Sequence, residues 1–255
     1  MIARFTSVVA LVAMVSGPAP GHRAAGGTIS GKVTYTGTPP KARPIDMSKE
    51  PSCVAQHATP VTTQDAVTGA GNSVDYVVVY ISAGDEGAAA ATDTVRYEQK
   101  GCQYIPHVAV MQVHQPLAVL NDDPTSHNIH PLAKVNAEWN KSQPKGAPPI
   151  HTAWDQPEFI AVKCNVHPWM HGYFVVLKTP HSSITDSTGA FKLEGLPAGK
   201  YIVTVHSYAQ GPQFPDSDRL KNRFSFQKSP IEVDIDGDKV LDIDLDKYAP
   251  VGVSP

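Results

Sequence analysis

The chain has 255 residues, with 21 basic and 24 acidic side chains and a formal net charge of -3. With 41% hydrophobic residues it can fill a packed core, which excludes a largely disordered chain. The charges form no basic stripe, so composition argues against a nucleic-acid interface.

At the N-terminus Arg4 precedes an uncharged, mostly apolar stretch over residues 5–15, broken by small residues and prolines at 16–20. Charge, apolar run and small residues in that order predict an export signal over residues 1–25, with the mature chain starting near Ala25. The stretch is too short to cross a bilayer core as a helix, and no later segment is apolar enough to span one. A periplasmic or secreted chain is therefore expected.

Strand patterns follow almost throughout. Residues 28–35 (TISGKVTY) alternate, and a Gly/Pro-rich stretch at 36–40 ends them. Residues 75–82 (DYVVVYIS) form a near-continuous β-branched run, as expected of a buried strand. Residues 87–93 (GAAAATD) are the one short invitation to a helix. Strands are expected again at 107–113, 117–120, 159–163 and 173–178, with a polar, Pro-rich excursion at 136–157. Beyond residue 180, turn signals at 185–189 and 196–199 separate strands at 190–193 and 200–208, and Asp236-Gly237-Asp238 marks a further hairpin. The expected organisation is all-β, with a main domain over 26–180 and an added β segment over 181–250.

Three cysteines, Cys53, Cys102 and Cys164, leave an odd thiol in an oxidising compartment. By parity the simplest solution is a Cys53–Cys102 disulfide, with Cys164 kept for other work. Cys164 opens the strongest local signal, Cys164-Asn165-Val166-His167-Pro168-Trp169-Met170, at the end of an expected strand. A thiolate, an imidazole and a thioether in that spacing are soft and borderline donors suited to copper cycling between Cu(I) and Cu(II). A trigonal His₂Cys site with a weak axial Met needs one more histidine, and residues 121–130 (NDDPTSHNIH) offer His127 and His130. Singly, each residue has a plain structural explanation; jointly, the spacing and the strand-to-loop placement favour a metal site.

Other chemistry fits less well. One Cys, two His and a Met make a poor closed zinc site. Residues 234–238 lack the twelve-residue loop of a calcium EF-hand, and no G-x-S-x-G supports a hydrolase. His107, His114, His151 and His181 could supply a second metal site, but no spacing singles them out.

The two motifs resemble the cupredoxins, the blue-copper proteins of amicyanin and plastocyanin type, over about residues 75–178. The resemblance implies a Greek-key β-sandwich with one type 1 copper per chain, held by His127, Cys164, His167 and Met170. It selects His127 over His130, because the ligand histidine precedes an asparagine, and it implies that Asn128 steadies the ligand loop. It also implies that His167, with Pro168 and Trp169, reaches the surface where redox partners dock. A site with four filled positions implies electron transfer with a cytochrome or dehydrogenase rather than catalysis, and copper storage or delivery is the rival. A structural binding module is the third possibility. The segment from Thr185 to Tyr201 resembles the carboxypeptidase regulatory-like, transthyretin-type sandwich, to which the strand around Gly31-Lys32-Val33 could also belong.

Overall fold

The computed structural model describes residues 26–36, 42–64, 69–207, 226–227 and 230–245. The expected export signal lies outside them, as do several stretches of the C-terminal segment. Among the described residues, regular structure is almost wholly β. Strand β1 (Gly27–Thr34) is followed by a one-turn helix α1 (Pro51–Val54) and by β2 (Val78–Ala83). Next come β3 (Val95–Lys100), β4 (Gln103–Ile105), β5 (Val108–Gln112), β6 (Leu117–Asn121) and β7 (His127–Pro131). The excursion at 136–157 carries two short strands, β8 (Lys141–Gln143) and β9 (Ile150–Thr152), before β10 (Glu158–Lys163) and β11 (His171–Leu177). The chain continues through β12 (Ser182–Ile184), β13 (Ala190–Leu196), β14 (Gly199–Ser207) and β15 (Phe226–Gln227). It then forms β16 (Ile231–Ile235), β17 (Lys239–Val240) and β18 (Ile243–Asp244). The alanines of 87–93 form no helix; four apolar methyls cannot bury enough surface to hold an isolated turn.

These strands make two sandwiches. In the first, the sheet β5-β11-β10-β7-β8 packs on β4-β3-β6-β9 around Tyr97, Tyr104, Leu117, Ile160 and Phe174. In the second, β13-β1-β17 packs on β12-β2-β14-β15, with β18 also paired to β1 and β16 to β14. Here the structure departs from the expected domain boundary at residue 180. Strand β1 pairs with β13 through Ile29 and Leu193, and β2 pairs with β14 through Val79 and Val205. The first sandwich is thus an insertion between β2 and β12 of the second.

The β-branched run at 75–82 explains why pattern alone misplaced β2. Val79 and Ile81 enter the core of the second sandwich with Val203 and Val205. Val78 and Tyr80 point the other way, against Val108, Tyr173, Val175 and Leu177 of the first. A strand covered on both faces loses the alternation that would tell which core it serves.

The first core is strongly aromatic. Phe174 meets Tyr97 edge-on at 4.6 Å between ring centroids, and Tyr97 stacks on Tyr104 at 5.2 Å. Phe174 is fully buried, so Phe174→Ala should lower stability by about 3–5 kcal/mol, read as a shift in denaturation midpoint. Glu158 organises the start of the excursion: its carboxylate accepts from the main-chain N–H of Val135 (3.0 Å) and Asn136 (2.9 Å), and from that of Lys134. Partial burial pushes its pKa up, but the donors from Asn136, Lys134 and Val135 outweigh this and hold it below the ordinary value. A lowered carboxyl stabilises the fold above its unfolded pKa and loses that contribution as pH falls through its folded one. Glu158→Gln should therefore lower stability at neutral pH and little below about pH 3, measured by denaturation at both.

Candidate metal centre

Two turns and a strand end bring the donors together. Strands β3 and β4 are joined by Gly101-Cys102, with φ of 62° and 53°. Positive φ at both central residues is the tight hairpin geometry that matches strand twist. At Cys102 this geometry is unfavourable for a side chain, and its surroundings over-determine it. The turn's two N–H groups point into the sandwich end and both donate to Asp123, from Gly101 at 2.6 Å and from Cys102 at 2.7 Å. The loop carrying Asp123 is itself pinned by Asn121. Its amide donates to Thr125 O and Gln143 O, and its oxygen accepts from the Asp123 N–H.

Asp123 in turn holds His127. The Nε2 of His127 lies 2.7 Å from Asp123 Oδ2, and both side chains are fully buried. A carboxylate there requires the proton on Nε2, which leaves the Nδ1 lone pair of neutral His127 facing inward. His127 Nδ1 is 2.9 Å from His167 Nδ1, and Cys164 Sγ is 3.9 Å from the same atom. The three donors all lie within 4.8 Å of one another. The two imidazole nitrogens share one proton at this distance, and with that proton lost they and the thiol are close enough to hold one ion. That donor set fits copper.

The ligand loop closes on itself. Cys164 N–H donates to Met170 O at 3.1 Å, and Met170 N–H donates to His167 O at 2.9 Å. Met170 therefore ends the loop at the foot of β11, buried in the core cluster beside Cys164. Asn128 ties the loop to β7: its oxygen accepts the Asn165 N–H, and its amide donates to Asn140 Oδ1. Burial raises the Cys164 pKa, but the His127 ring and the N–H groups of Asn128, His167 and Val166 outweigh it and favour the thiolate. Burial lowers the His127 pKa, and Asp123 and Cys164 more than reverse this; His167 is lowered by burial and by the neighbouring His127.

His130, three residues along the same strand, faces elsewhere. Its Nε2 is 2.8 Å from Glu138 Oε1 and its Nδ1 is 3.3 Å from Asn165 Oδ1. The four histidines considered for a second site do not converge. His107 packs against Tyr76, His171 and Tyr173, His114 pairs with Asp155, His181 pairs with Asp85, and His151 is exposed on β9. Among the described residues, the groups that could hold an ion all include His127.

The expected docking port at His167 is closed. His167 is only 1% exposed, because a strap over residues 43–63 crosses it. Cys53, in α1, is disulfide-bonded to Cys102, and its Sγ lies 4.0 Å from His167 Nε2. Glu50 Oε2 is also 4.0 Å from that nitrogen, and the Trp169 ring centroid is 5.1 Å from the His167 ring. Trp169 Nε1 donates to Cys102 O at 3.1 Å, and His57 Nε2 lies 2.7 Å from Gly101 O. The Gly101-Cys102 turn thus touches both halves of the site. Sequence reasoning missed Asp123 and Glu50; an acid four residues before the candidate histidine was the available signal for the first.

No protein-family model and no curated protein matches the sequence. Solved structures that align with part of it include the copper-containing nitrite reductase of Thermus scotoductus SA-01, at 15% identity and TM-score 0.32 over 38% of this chain. This chain spans a quarter of that enzyme's length, 25%. A purple cupredoxin from Nitrosopumilus maritimus aligns at 17% identity and TM-score 0.28, over 32% of this chain and 98% of that one. An oxidised amicyanin mutant aligns at 15% identity and TM-score 0.30, over 45% of this chain and 93% of that one.

Proposed function

We propose that this chain is an exported protein that binds one type 1 copper through His127, Cys164, His167 and Met170, and passes single electrons. The observation that carries the reading is the buried convergence of His127 Nδ1, His167 Nδ1 and Cys164 Sγ, with Asp123 fixing the ring of His127. Copper bound there would supply a one-electron couple. The chain's own residues supply the rest. The main-chain donors around Cys164 stabilise its thiolate, and Asp123 and Asn128 hold ligands in place before any metal arrives. A rigid, filled donor set has no open position for a substrate, which favours a carrier over an enzyme. Its partners would be redox proteins such as a cytochrome or a dehydrogenase.

A second reading, copper storage or delivery, draws on the covered edge of His167. Copper loading followed by optical and EPR spectra tests the first reading. An intense band near roughly 600 nm is expected of a Cu–thiolate, and its absence from the loaded chain would sink the site. Reversible electron exchange with a cytochrome would separate the carrier from the store.

A further inference from the structure

We infer that the Cys53–Cys102 disulfide is a redox-operated latch on the path by which copper enters and leaves the chain. The inference rests on the metal reading above and adds a modification site to it. All four candidate ligands are sealed: His127 is 0%, Cys164 3%, His167 1% and Met170 1% exposed. An ion therefore cannot reach them without part of the cover moving. The sandwich strands around them are tied by continuous ladders, whose opening would cost much of the fold.

The strap is different. Its main-chain bonds between Ile45 and Val61, and between Arg43 and Thr63, are internal, and it adds no strand to either sheet. Met47 with Ile45 and Val61 packs on the first core, and His57 bonds to Gly101 O. The covalent pin is the disulfide from α1 to the Gly101-Cys102 turn. That pin also stands at the metal centre itself. Cys53 Sγ faces His167 Nε2, and the Cys102 sulfur lies within 4.8 Å of the ligand atoms of Asp123 and His127. A disulfide serving only to staple the fold has no need to sit on the outer edges of both candidate imidazoles.

The step is a thiol–disulfide exchange with a dithiol reductant. The Cys53–Cys102 bond breaks, two electrons and two protons pass from the dithiol to the pair, and the dithiol leaves as its own disulfide. The strap then keeps its apolar contact and only side-chain ties among those described, from His57 to Gly101 O, Gln56 to Cys102 Sγ and Glu50 to His167, and without the covalent pin it can lift from His167. The two thiols left beside the opening are soft donors suited to a passing Cu(I) ion. Exchange with a disulfide oxidant, which takes up the two electrons and two protons and leaves as a dithiol, re-forms the Cys53–Cys102 bond and closes the strap over the loaded centre.

The test follows Cu(I) transfer to bathocuproine disulfonate from the copper-loaded full chain in three forms. These are the disulfide-intact chain, the same chain reduced with a phosphine and desalted, and the Cys53→Ser/Cys102→Ser variant. Removing the pin should raise the transfer rate at least about tenfold in the second and third forms, with hydrogen-exchange protection lost in the strap but not in the strands. Equal rates from chains that all hold copper overturn the latch, as does a disulfide that survives the reductant in the folded chain. If the variant does not fold, the reduced wild-type chain decides. A chain that binds no copper in either redox state removes the metal reading and the latch with it, an outcome distinct from bound copper released at equal rates.

Discussion

Cys164→Ser is expected to abolish the absorption band near roughly 600 nm, while leaving the fold in place. A serine hydroxyl stays protonated at neutral pH and is a hard donor, so it offers neither the thiolate's charge nor its softness toward Cu(I). The N–H of His167, 3.4 Å from Cys164 Sγ, and its neighbours can still donate to the serine oxygen, so no buried donor is stranded. The stability change should therefore stay within about 1–2 kcal/mol, read by denaturation of the apo chain. A band that survives the substitution would sink the assignment. His130→Ala is the matched control: its ring pairs with Glu138 outside the donor cluster, so the band should remain.

Asp123→Asn should weaken copper binding by about 10–100-fold and raise the reduction potential, measured by chelator competition and redox titration. An amide withdraws the negative charge that makes His127 a more basic ligand, and Cu(II) loses more from this than Cu(I). The same change should alter how apo stability depends on pH. Burial raises the Asp123 pKa, but the His127 ring and the Cys102 and Gly101 N–H groups outweigh it, so it lies below the ordinary carboxylate value. Its contribution is full above the unfolded carboxylate pKa, about 4, and is lost as pH falls through the folded value. His127, raised overall, contributes fully below the unfolded histidine pKa, about 6.5, and loses that contribution as pH rises through its folded value. The pair thus supports the apo chain most between those two values, and Asp123→Asn should flatten that maximum. An unchanged pH profile would show that the pair is not coupled as its 2.7 Å contact implies.

The candidate donors are legible in the sequence because they are local. Cys164, His167 and Met170 fall within one tight loop, and two backbone bonds inside that loop, Cys164 to Met170 and Met170 to His167, set their relation without help from elsewhere. Strand existence was legible for the same reason, since alternation and β-branching are properties of short windows. Parity identified a candidate disulfide but said nothing about where it would lie.

What lay beyond reach depends on contacts between distant residues. Strand β2 is apolar on both faces, so its pattern could not assign it to either sandwich; the register with β14, more than a hundred residues on, does. Asp123 looks like any loop acid until the Gly101-Cys102 turn aims two N–H groups at it and His127 meets it from the other side. His167 read as an exposed port because nothing in residues 164–170 reveals that α1, far upstream, crosses over it. The amino-acid sequence by itself determined which candidate donors the chain carries and that it folds as strands. Only the tertiary structure decided which carboxylate orients the first histidine and which disulfide seals the second, because burial and hydrogen bonding across the fold are properties of the packed chain, not of any window along it.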